Sequence, residues 1–107
     1  MNKVYLSGEA QNDLAELRLY ISQELANPDA AQRTVSEITR RLRMLEVHAQ
    51  LGALLSSITG LESDYRFLVC ENYLAFYRVG ESVVFVDRIL YSRRDYIRVL
   101  FGEISES

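Results

Sequence analysis

The sequence predicts an α+β two-layer sandwich, with an N-terminal strand and an antiparallel helical hairpin packed on a curved antiparallel sheet. The expected order is β-α-α-β-β-β with a short C-terminal helix or turn. Three observations predict it. Apolar residues recur at steps of three and four through the first half of the chain, the period of a buried helix face. After residue 64 they give way to the β-branched and aromatic runs of strands. The two patterns come in separate blocks, which favours helices gathered on one face of a sheet over a doubly wound parallel sheet. A chain of 107 residues holds one such domain, expected over residues 1–102, with 103–107 as a polar tail.

Taken in order, KVYL (residues 3–6) is a short strand ending at Ser7, a helix N-cap. Ala10, Leu14, Leu17, Ile21 and Leu25 form one stripe of the first helix, with Glu9, Asp13, Glu16 and Arg18 off it. Asn27-Pro28 ends that helix and starts the next, Asn27 as cap and Pro28 at the first helical position. Ala31, Val35, Ile38, Leu42, Leu45 and Ala49 form the second stripe. The short link makes the pair an antiparallel hairpin. Residues 50–64 read as a loop too apolar to lie free in solvent, and Tyr65–Cys70 reads as a strand. After Tyr91, Ser92 with Asp95 resembles a capping box ahead of a short amphipathic turn holding Ile97, Leu100 and Phe101.

The centre of the pattern is the pair of runs Tyr73–Val79 and Ser82–Tyr91 on either side of Gly80-Glu81, read as a two-residue hairpin turn with Gly80 at positive φ. In that register Tyr73, Ala75, Tyr77, Val84 and Val86 share one face. Leu74, Phe76, Arg78, Phe85, Asp87 and Ile89 share the other. Neither face is polar, so two covers are expected: the helices over the first, and a partner protein over the second.

Composition excludes several classes. A net charge of −3 argues against a broad nucleic-acid footprint. One cysteine allows no disulfide within the chain. The N-terminus has neither a signal-peptide pattern nor a spanning segment, so a cytoplasmic protein without a membrane role is expected. There is no Gly-rich phosphate loop and no HExxH or CxxC motif, so neither metal nor cofactor is expected. His48 reads as a helix-end residue, Cys70 as a small core hydrophobe, and Glu62, Asp64 and Glu71 as solvated acids. The basic cluster Arg40, Arg41 and Arg43 reads as a solvated helix face.

The remaining cations carry more chemistry. Arg66 lies on the first of the three late strands, Arg88 lies on the last, and Arg93, Arg94 and Arg98 follow it with Tyr91 and Tyr96 interleaved. A sheet that brings Arg66, Arg88, Arg93 and Arg94 to one end beside two tyrosines would suit phosphate clamping or an anionic protein partner. Ordinary surface ion pairs are the plain alternative.

The segment YRFLVCENYLAFYRVGESVVFVDRILYSRRDYIRVLF (residues 65–101), with the strand and two helices upstream, resembles the RelE/ParE superfamily of type II toxin-antitoxin toxins, and most closely its ParE-like side. The resemblance implies a compact toxin neutralised by a small antitoxin whose C-terminal segment wraps it, with operator DNA touched only through that antitoxin. It places the antitoxin on Leu74, Phe76, Phe85 and Ile89. RelE-like members cut mRNA on the ribosome with basic side chains and a tyrosine, and ParE-like members poison DNA gyrase. Leu68, Leu74 and Tyr91 stand where RelE-like nucleases carry basic residues or histidine. That leaves Arg66, Arg93, Arg94 and Tyr96 for any ribonuclease centre. The resemblance therefore implies gyrase inhibition, with Arg88, Tyr91, Arg93, Arg94, Tyr96 and Arg98 as target contacts. Ribosome-dependent mRNA cleavage is the enzymatic alternative, and an inactive scaffold or autorepressor component the third.

Overall fold

A computed structural model describes residues 1–102 of the chain; the expected polar tail, 103–107, lies outside them. The element order is β1 (Lys3–Leu6), α1 (Gly8–Leu19), α2 (Pro28–Arg43), β2 (Ala53–Leu54), α3 (Ser56–Thr59), β3 (Arg66–Cys70), β4 (Tyr73–Gly80), β5 (Val83–Tyr91) and α4 (Tyr96–Phe101). The caps fall where side-chain chemistry puts them. Ser7 Oγ accepts from the Ala10 N–H at 2.9 Å, and Asn27 Oδ1 accepts from the Ala30 N–H at 3.1 Å with Pro28 next in line. A π-helical turn, Tyr20–Glu24, ends the first helix of the hairpin.

The five strands lie in the order β1-β5-β4-β3-β2. The sheet is mixed rather than wholly antiparallel, because β1 runs parallel to β5, pairing Lys3–Leu6 with Val83–Val86. β2 and α3 give structure to the segment read as a loop, and Leu55 between them is fully buried. The terminal cap also differs: Asp95, not Ser92, is the N-cap of α4, its carboxylate accepting from the Arg98 N–H.

The hairpin register departs from expectation in two places. Gly80 pairs with Val83, so the turn is Glu81-Ser82 and the positive φ, 56°, falls on Ser82. Gly80 is needed for space instead, since a Cβ there would stand 2.7 Å from the Val83 side chain. Farther along, Tyr77 pairs with Val86 but Phe76 pairs with Arg88, which leaves Asp87 as the extra residue of a β-bulge. The bulge reverses facing beyond it. Ile89, expected toward a partner, joins the core beneath the helices with Ala75, Tyr77, Val84 and Val86.

That core holds Ala10, Leu17 and Ile21 of the first helix stripe and Ala31, Ile38, Leu42 and Leu45 of the second. Leu25, expected in the first stripe, is exposed beyond the π turn. The opposite sheet face has a cover of its own. Phe76, expected to face a partner, is fully buried in a second cluster with Leu55 and Leu90, packed against Tyr65, Phe67, Leu74, Tyr96, Val99, Leu100 and Phe101. The chain itself thus seals the end of this face nearest α4 and leaves the end nearest the turn open. There Phe85 stays 39% exposed and stacks on Tyr5, 51% exposed, at 6.2 Å.

Candidate functional site

The arginines of the sheet do not converge. Arg66 pairs with Tyr77 in mid-ladder, whereas Cys70, Tyr73 and Tyr91 form the row at the far end of the strands. Four residues of strand separate the two, roughly 13 Å. The Arg66 guanidinium is also engaged, donating to the Gly52 carbonyl at 2.8 Å. In the same corner the Gly52 N–H donates to the Tyr77 hydroxyl at 2.8 Å, and burial pushes the Tyr77 phenol upward from its ordinary pKa. Gly52 has to be glycine, since a Cβ would lie 2.4 Å from the Phe67 carbonyl oxygen.

Arg88 is taken by the residue that sequence reasoning missed. Its Nε and Nη2 donate to the two carboxylate oxygens of Asp13 at 2.8 and 2.9 Å, and Glu9 adds a longer contact at 3.5 Å. Asp13 Oδ2 also accepts from the Ile89 N–H at 2.9 Å. The bond to Asp13 raises the Arg88 pKa, so the guanidinium stays charged. Asp13 is 6% exposed although it was assigned off the helix stripe. Its place, three residues after Ala10 and four before Leu17, is an inward one, and an acid there signals a buried partner.

Asp87 and Arg78 form the next pair. Arg78 Nε donates to Asp87 Oδ2 at 2.7 Å, and the Tyr65 hydroxyl donates to the same oxygen at 2.9 Å. Burial, then the Asp87 bond, raises the Tyr65 pKa. The Arg78 guanidinium also lies 5.6 Å from the centre of the Phe85 ring.

The terminal segment is different. Arg93 and Arg94 are exposed in the link between β5 and α4, and neither forms an ion pair among the described residues. The link is held tightly: the Arg94 N–H donates to the Tyr91 carbonyl at 2.9 Å and the Tyr96 N–H to the Arg94 carbonyl at 2.8 Å. Arg98 makes only a 3.9 Å contact with Asp95, both exposed. Tyr96 stacks on Phe76 at 5.2 Å as part of the apolar cover. Tyr91 meets Tyr73 edge-on at 5.8 Å, and both line a groove of about 650 Å³ with Tyr20 and Arg94. Burial raises the Tyr73 pKa, aided by Tyr91 and Tyr20.

Cleaving a phosphodiester in line needs several positive groups around one phosphate and a side chain to move the proton. Of the four ribonuclease candidates, Arg66 is remote and engaged, Tyr96 is half-buried against Phe76, and Arg93 and Arg94 alone are free. Among the described residues no cluster of His, Cys, Asp and Glu is placed to hold a metal ion. No helix among them is long and apolar enough to cross a membrane.

Comparison with known proteins places this architecture. A family model described as the ParE toxin of the type II toxin-antitoxin system, parDE, matches residues 4–96. The chain belongs to the ParE toxin family. Among solved structures it is similar to a chain of the chromosomal ParDE toxin-antitoxin system from P. aeruginosa, with a TM-score of 0.71 and 24% identity. That match covers 85% of this chain and 96% of the other, and shows a shared fold. YafQ from E. coli matches with a TM-score of 0.49 and 17% identity over 95% of this chain and 100% of its own. A comparison with the curated proteins finds no match. In this chain the late-strand arginines Arg66, Arg78 and Arg88 are engaged, and Arg93 and Arg94, on the segment after β5, are exposed without an ion pair among the described residues.

Proposed function

We propose that this ParE-family toxin inhibits growth by binding DNA gyrase in the cytoplasm, through the segment after β5, and is held inactive by a cognate antitoxin. One observation carries the reading. The sheet arginines that would build a catalytic phosphate site are tied to Gly52, Asp13 and Asp87, and the free ones, Arg93 and Arg94, stand on an exposed turn beside Tyr91. Exposed arginine and tyrosine on a rigid turn suit recognition of a protein surface, where these residue types dominate binding energy. Target contacts are Tyr91, Arg93, Arg94 and Arg98. Arg88 and Tyr96 hold the turn in place from beneath, through Asp13 and Phe76. Family membership and the open apolar end of the second sheet face support an antitoxin partner.

The test uses purified toxin in two assays, gyrase acting on plasmid DNA and ribosomes programmed with mRNA. Loss of supercoiling or accumulation of cleaved plasmid, with intact mRNA, is the expected result. Cut mRNA with gyrase unaffected would overturn the reading.

A further inference from the structure

The groove lined by Tyr20, Tyr73 and Tyr91 has a chemistry of its own, distinct from that of the arginines beside it. Its three rings come from separate parts of the chain. Tyr20 opens the π-helical turn, Tyr73 opens β4 and Tyr91 closes β5, the last two facing each other in the ladder. Tyr20 and Tyr91 are exposed and Tyr73 is half-buried. Among the described residues the only cation placed over a ring is Arg78 on Phe85, toward the hairpin turn, so the faces of these three tyrosines hold none of the chain's own.

Charge points the same way. Of the three acids that line the groove, Asp13 is taken by Arg88, while Glu16 and Glu71 are exposed and form no ion pair among the described residues. Against those two carboxylates stands one guanidinium, Arg94. The groove is therefore net negative although it borders the basic turn. Glu71 also sits at a φ of 57°, the left-handed region in which glycine or asparagine rests at less cost than a longer side chain.

We propose that this groove receives a basic side chain, arginine or lysine, of the toxin's protein target. The inference rests on the gyrase reading above, whose contacts Tyr91 and Arg94 line the same groove, and adds which residue type the target presents there. Tyrosine faces attract a cation through the ring quadrupole, and Glu16 and Glu71 supply the complementary charge. Buried Leu17 and Ile21 line the groove as well and suit the methylene stem that carries such a cation. An apolar side chain would gain nothing from the two carboxylates, and an acidic one would be repelled by them. The target thus offers an acid to Arg93 and a base to the groove next to it.

The test has two arms. In the first, the tyrosine ring resonances of the full-length toxin are followed by NMR during titration with N-acetyl-arginine amide, and with N-acetyl-norleucine amide as a neutral control of similar length. Shifts at Tyr20, Tyr73 and Tyr91 with the arginine probe alone are expected; an equal response to both probes, or to neither, would overturn the proposal. In the second arm, binding to gyrase is measured for toxin variants. Glu71→Asn relieves the positive φ, so its unfolding midpoint should match or exceed the parent's, yet its binding should weaken about fivefold. Tyr20→Leu keeps apolar bulk without a ring and should weaken binding about tenfold, with Tyr20→Phe restoring most of the loss. Parent-like binding by Glu71→Asn or by Tyr20→Leu would overturn the groove assignment and leave the gyrase reading intact. A parent toxin that does not bind gyrase would overturn both. Variants that lose the antitoxin while keeping gyrase would assign the groove to the antitoxin, and so also overturn the proposal.

Discussion

The arginines of the sheet and those of the turn behind it have the same chemistry and different fates. Arg66, Arg78 and Arg88 each meet a carbonyl or carboxylate within 2.8 Å, while Arg93 and Arg94 meet no acid among the described residues. The difference teaches that a row of cations in a sequence is no site until it is known which of them the fold has already engaged. In the sheet the guanidinium closes an edge, a bulge or a loop. On the turn it stays exposed, and in the function proposed above it meets the target. Substitutions in the first group should therefore weaken the fold, and substitutions in the second should weaken inhibition alone.

The largest effect is expected at Asp13. Asp13→Ala leaves Arg88 without its main partner and the Ile89 N–H without an acceptor, and should cost about 3–5 kcal/mol in urea unfolding. An effect below about 1 kcal/mol would mean that the pair is not a strut of the fold. Arg66→Ala comes next. It frees the Gly52 carbonyl and should cost about 1–2 kcal/mol, with quicker proteolytic nicking of the segment before β3 as a second readout.

A further effect appears with alkali. Burial pushes the Cys70 thiol up from 9.0 to about 11. Above pH 9 the unfolded chain gives up a proton that the folded chain keeps, so this contribution is full below about 9 and is lost as pH rises toward 11. The urea midpoint should fall across that window, and fall less steeply in Cys70→Ala. Native Cys70 should also resist alkylation at pH 8 until urea is added. Smallest is Arg78→Ala, which removes a partly exposed pair with Asp87 whose carboxylate keeps the Tyr65 hydroxyl as a donor, and should cost about 1 kcal/mol or less.

Much of this architecture is legible in the residues. Ser7, Asn27 and Pro28 announce the helix boundaries through local chemistry alone, and Ile38, Leu42 and Leu45 announce a buried face through spacing. What the residues do not announce is long-range. The bulge at Asp87 accompanies the contacts of Arg88 and the Ile89 N–H with Asp13, 75 and 76 residues earlier, and uniform alternation gives no sign of it. Missing it put Ile89 on the wrong face. The cover over Phe76 comes from Leu55, Tyr65 and the short α4, whose apolar residues span too few turns to show a period. The candidate site was legible as residue types, arginine with tyrosine after the last strand. Its division into engaged and free cations depended on partners that only the folded chain brings near.

The measurement that bears most directly on this division is growth inhibition by the Arg93→Ala/Arg94→Ala variant, read beside its unfolding midpoint. Unfolding should stay within about 0.5 kcal/mol of the parent, as for exposed side chains without partners, while inhibition of growth and of gyrase supercoiling is lost. Full inhibition by a stably folded double variant would contradict the account, because the free cations would then have no part in what the toxin does.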